Sequence, residues 1–124
     1  MSAQADELKT RTFRFALDVI QLVSQFRECD VSQVVRRQLT KSATSVGANY
    51  RAACSSRSHA EFTARIGIVA EEADETVYWL DIAAGSLLTT SPALPKMQDE
   101  GRELVAIFSR ALGTARLNRR RSSA

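Results

Sequence analysis

Between Val35 and Ala53 an apolar residue returns at every third or fourth position: Val35, Leu39, Ala43, Val46, Tyr50 and Ala53, a 4-4-3-4-3 spacing. An α-helix turns by about 100° per residue, so this spacing lines one face, which a strand's period of two cannot do. The pattern decides the nature of SATSVGANYRAACSSRS, Ser42 to Ser58, whose small, hydroxylic and basic residues otherwise suggest a linker or a phosphate-holding loop. With the apolar seam running through it, most of the stretch is helix. Its small side chains let a neighbouring helix approach closely.

The same period recurs in three further segments. Phe15, Val19, Leu22 and Phe26, flanked by Ala16, Ile20 and Val23, predict a helix over Asp6 to Arg27. Cys29 and Asp30 mark a break, and Ser32 is placed to cap the second helix. Ser58 followed by Glu61 forms a capping-box pattern that opens a third helix to Gly85, its seam Phe62, Ile66, Val69, Ala73, Val77, Leu80 and Ala84. Thr89 to Pro95 reads as a loop, and Leu104, Phe108, Ala111 and Ala115 predict a fourth helix from Lys96 to Asn118. Four amphipathic helices on short connections predict an all-α, antiparallel up-down four-helix bundle over residues 1–118, with residues 119–124 a basic, disordered tail.

A chain of 124 residues is one domain by length. Its longest uncharged run, Ile82 to Pro95, is too short and too broken to span a bilayer, so a cytoplasmic protein without membrane contact is expected. Cys29 and Cys54 make no disulfide framework and are expected to be reduced. The net charge of +3 is unevenly laid out: −1 over residues 1–30, +5 over 31–57, −5 over 58–90 and +4 over 91–124. Such alternation suits antiparallel neighbours of opposite sign, within the chain or between copies.

Two helices carry a second character besides their seam. On the second, Gln38, Ser42, Ser45, Asn49 and Ser56 form a hydrogen-bonding stripe, and Arg37, Lys41, Thr44, Ala48 and Arg51 form another. On the third, Ile68, Glu72, Glu75, Trp79 and Ile82 lie roughly opposite the seam, a mixture that predicts a subunit interface. The search for catalytic chemistry yields little. The single histidine, His59, belongs to no Glu-x-x-His pair, the cysteines lack zinc spacing, and no phosphate-loop or nucleophile-elbow motif occurs. Neither an enzyme nor a cofactor or metal site is expected.

The blocks QLTKSATSVGANY, RSHAEF, IGIVAEEADETVYWLDI and RELVAIFSRALGTAR resemble, in that order, those of the 23S rRNA intervening-sequence proteins. The resemblance spans nearly the whole chain and implies an antiparallel four-helix bundle that assembles as a ring-like homopentamer. Genes of that family lie in insertions within large-subunit ribosomal RNA genes, and a relative in diversity-generating retroelements binds nucleic acid through a basic surface. One departure stands out: where many members follow the Asn with an acid and a Gly, this chain has Ala52 and Ala53. By matched position, Gln38, Ser45, Asn49, Glu72, Glu75, Tyr78 and Trp79 are implied to form a structural network or interface. The basic residues Arg36, Arg37, Lys41, Arg51, Arg110, Arg116, Arg119, Arg120 and Arg121 are the candidates for contact with RNA or DNA phosphates. The alternative is a scaffold that docks a partner protein without nucleic acid.

Overall fold

A computed structural model describes residues 2–123, with the side chains of residue 119 and of 121–123 excepted. Four helices follow one another: α1 (Ala3–Val23), α2 (Asp30–Cys54), α3 (His59–Gly85) and α4 (Ala93–Ser123). Each packs on its neighbours in sequence, and α4 returns to α1 along a much thinner seam. The result is the expected up-down bundle.

The expected seams of α1, α2 and α4 hold. Phe15, Val19, Leu22, Phe26, Val35, Leu39, Val46, Leu104 and Phe108 form the buried core, with Ala111 half-buried at its edge. On α3 the seam drifts after Ala73: Thr76, Leu80 and Ala83 are buried, whereas Val77 and Ala84 are half-buried. Thr76 is tolerated inside because its hydroxyl donates to the Glu72 carbonyl at 2.7 Å, leaving its methyl to the core. Thr12 and Thr63 do the same one turn back on their own helices. Glycine brings helices together at two points. A Cβ on Gly47 would stand 3.3 Å from the Thr12 hydroxyl of α1, and one on Gly101 would stand 3.0 Å from a Val77 methyl of α3.

Helix ends differ from expectation in instructive ways. The first helix starts earlier, where the Ser2 hydroxyl accepts the Ala5 N–H, and stops at Val23 rather than Arg27. Cys29, not Ser32, occupies the N-cap of α2; Ser32 sits at the third position and its hydroxyl receives the Cys29 N–H at 3.0 Å. That N-cap placement, led by the Ser32 N–H, holds the Cys29 thiol below its usual range. Ser58 caps α3 as expected. Pro95 lies within the first turn of α4, where the missing N–H costs nothing, so the helix begins before it. At its other end α4 continues to Ser123, replacing the predicted stop at Asn118; Ala124, at the end of the predicted tail, lies outside the described residues.

Two arginines tie the connections. Arg27 donates from its backbone to the Leu88 carbonyl at 2.8 Å and from its guanidinium to Leu87 and Ser86 carbonyls, both at 3.0 Å. It thereby fastens the α1–α2 turn to the C-terminus of α3, where Leu87 holds a left-handed φ of 54° usually left to glycine. Arg36 donates to the Val23 and Phe26 carbonyls at 3.0 and 2.7 Å and pairs with Glu28 at 2.8 Å. Arg36→Lys keeps the charge but loses the planar fork, and should lower stability by about 1–3 kcal/mol. A urea midpoint unchanged from that of the parent chain would refute the role.

Candidate nucleic-acid interface

The fold separates the basic residues into three environments. Arg36 leaves the phosphate set: its guanidinium is spent on the α1–α2 turn and half-buried there, a correction to its expected role. Arg37, Lys41 and Arg51 are exposed on the outer face of α2, together with Ala48. The charge of Lys41 is felt on α3, where it offsets part of the rise in the Glu72 pKa. Arg37 and Arg51 form no salt bridge among the described residues.

The third environment is the C-terminal half of α4. From Leu104 onward the chain carries Arg110, Arg116, Arg119, Arg120 and Arg121 and no acid. Arg110, Arg116 and Arg120 are exposed; the side chains of Arg119 and Arg121 lie outside the described residues. The hydrogen bond from the His59 ring to the Ala115 carbonyl, at 2.8 Å, ties the start of α3 to α4 near the bundle's end. Past it the helix runs from Arg116 to Ser123, about 12 Å of further rise. It forms a helical arm on which Arg116 and Arg120 are exposed. No pattern in the sequence separates this arm from a frayed tail, since Gly113, Thr114 and Asn118 interrupt the helix formers between Arg102 and Arg121.

The polar stripe of α2 behaves differently from the network that was expected. Asn49 donates its amide to the Ser45 carbonyl at 2.9 Å, Ser42 to Leu39 at 3.3 Å and Ser56 to Ala52 at 3.4 Å. These bonds return to their own helix instead of crossing to α3. Gln38, Ser45 and Asn49 are half-buried along the α2–α3 seam, with Glu72 and Trp79 also half-buried and Glu75 exposed. The α3 stripe therefore turns toward the flank of α2 and does not stand opposite the core. Tyr78 is the outward member, its ring 5.1 Å from that of Trp79 in an edge-on contact. The Trp79 indole N–H is buried without an acceptor among the described residues.

Glu72 has the most perturbed carboxyl on this seam. Burial raises its pKa, Glu75 and Glu71 raise it further, and Lys41 offsets part of the rise. The folded chain then holds this proton at pH values where the unfolded chain has released it. Its contribution therefore falls as pH climbs from 4.5, the ordinary value, through the raised folded value. Glu72→Gln should remove that fall, so its melting temperature gains on the parent's between pH 4 and pH 7. An offset constant with pH would contradict the assignment.

Among the described residues no group of three metal-ligating side chains gathers, and no helix is long and apolar enough to cross a membrane. Cys29 and Cys54 are both free thiols. The sequence profile of the family described as 23S rRNA-intervening sequence protein matches residues 6–110. A crystal structure of a protein with unknown function from the S23 ribosomal protein family of Bacteroides thetaiotaomicron is similar at 24% identity. The match covers 88% of this chain and 97% of that one with a TM-score of 0.76, a likeness of fold. No curated protein matches the chain.

Proposed function

Because the chain belongs to the 23S rRNA-intervening sequence protein family, we propose that it is a non-enzymatic, self-associating bundle that binds nucleic acid through phosphate contacts. The observation that carries this reading is the C-terminal half of α4, which holds arginines and no acid from Leu104 onward and continues as helix to Ser123, past the His59–Ala115 hydrogen bond. Arg37 and Arg51 on α2 supply a second basic surface. Contacts of this kind are sequence-independent and fall steeply with salt. Nothing in the arrangement reads bases: the exposed Tyr78 lies on the acidic α3, away from the arginines. Anisotropy titrations with fluorescent RNA and DNA across a salt series test the proposal. Absence of binding to either at low salt overturns it.

Self-association, for which a five-membered ring is the form proposed, is supported by apolar side chains left exposed on α1 and α3. The same exposure favours a second reading, a scaffold that docks a partner protein. That reading requires one defined partner whose binding survives nuclease treatment.

A further inference from the structure

Among the described residues two Phe, Tyr or Trp rings stand well out of the surface, and their surroundings differ. Tyr78 of α3 is 57% exposed, on one helix face with the exposed Asp74 and Glu75. Phe13 of α1 is 59% exposed and leads a ridge continued by Leu17 and Ile20 at 4-3 spacing. Beside the ridge a cleft of about 250 Å³ opens between α1 and α2, with Phe13 on one wall, Thr44 and Ala48 on the other, and Arg51 among its lining. Its floor is shallow because the two helices nearly touch there: a Cβ on Gly47 would stand 3.3 Å from the Thr12 hydroxyl. An exposed apolar ridge of this kind marks a contact surface.

The α2 side of the cleft continues as a basic track. Arg37, Lys41, Ala48 and Arg51 are exposed at 4-7-3 spacing, along about 21 Å of one helical face. No acid occurs from Val31 to Ala60, and Arg37 and Arg51 form no salt bridge among the described residues. The cleft is smaller than the roughly 300–1,000 Å³ of pockets that enclose a small molecule. A shallow slot with an aromatic wall and a cationic margin instead suits a planar ring carried on an anionic chain.

We propose that the α1–α2 cleft is a stacking site for single-stranded nucleic acid: an unpaired base lies on the Phe13 ring while the strand's phosphates follow Arg51, Lys41 and Arg37. This inference rests on the nucleic-acid binding proposed above and names the class of strand and the surface that takes it. Bases inside a duplex are covered by their neighbours, so only an unpaired base offers its face to a side chain. Every base has such a face, and the contact therefore stays indifferent to sequence. Charge complementarity decides the occupant, because the acid-free track beside Phe13 matches a chain of phosphates and repels a basic partner.

Fluorescent oligouridylate, oligothymidylate, a fully paired duplex and an abasic strand are the probes. Phe13→Ala should weaken binding of both single strands at least ~5-fold and leave the duplex unchanged. Its salt slope should match the parent's, because no phosphate contact is lost. Phe13→Trp keeps an aromatic face and should bind as the parent does. The abasic strand keeps its phosphates without bases, so the parent should hold it no better than Phe13→Ala does. Position 13 is exposed, so both variants keep the fold, as circular dichroism verifies. A parent chain that binds none of the probes at low salt overturns nucleic-acid binding itself. If the parent binds but Phe13→Ala holds single strands equally well, or the abasic strand binds as tightly as an intact one, only the stacking site is wrong. A smaller sedimenting mass for Phe13→Ala than for the parent also overturns it, assigning the ridge to a second copy.

Discussion

Replacing Arg110, Arg116 and Arg120 together with glutamine is expected to weaken nucleic-acid binding by on the order of 10²–10³-fold at ~50 mM salt. Each neutralised phosphate releases a condensed counterion, so three lost contacts lower the slope of log K against log salt by about 2 to 3. The three side chains are exposed and form no salt bridge among the described residues, so the fold has no stake in them. Arg36→Lys is the matched control: it changes an arginine tied into the α1–α2 turn and should leave affinity and salt slope untouched. Equal affinity for the glutamine variant and the parent would remove α4 from the interface. A weaker complex with an unchanged salt slope would point to damage elsewhere.

Phe108→Ala should cost about 3–5 kcal/mol, a large share of the roughly 5–15 kcal/mol available to a domain of this size. Phe108 is fully buried between helices and its ring centre lies 5.3 Å from that of Tyr50, tilted by 53°. Truncation leaves a cavity at the end of the bundle where the α1–α4 seam is thin and little is available to collapse into it. The same burial raises the Tyr50 phenol above its usual range, reinforced by the neighbouring Cys54 thiol. Phe13→Ala is the contrast, an equally large ring lost from the exposed ridge. Urea titration of dilute, unassembled chain should register it at no more than about 0.5 kcal/mol. A Phe108→Ala loss near that of Phe13→Ala would mean that the core is not where the burial places it.

The bundle was legible in the sequence because α2 and α4 each have one apolar seam set against polar residues. Helix α1 was less so. Phe13, Phe15, Ala16, Leu17, Val19, Ile20, Leu22 and Val23 are apolar nearly all round the helix, so periodicity locates the core side but not a second apolar face. Ile20 accordingly reads as a flank of the core and is exposed, and Phe13 and Leu17, off the seam, are exposed as well. On α3 the choice between Val77 and Thr76 turned on a hydroxyl that satisfies itself on the preceding turn, which apolarity scales count as polar. Arg36 differs from expectation for the complementary reason. Composition registers a charge, whereas the carbonyls that occupy it belong to a turn that exists only once α1 and α2 have met. The basic candidates on α4 were legible as charge, and their presentation on a helix was not, because nothing local marks where α4 outruns its neighbours.

In the ring proposed above, the α4 arm acquires a different meaning. Rotation about a single axis sends every arm out of the same rim, because equivalent ends stay on one side. A contact too weak to hold one chain on a nucleic acid then becomes an avidity device, with each bound arm raising the effective concentration of the next into the millimolar range. Binding would switch on with assembly and switch off with dilution, over a far narrower range of protein than any single site could achieve.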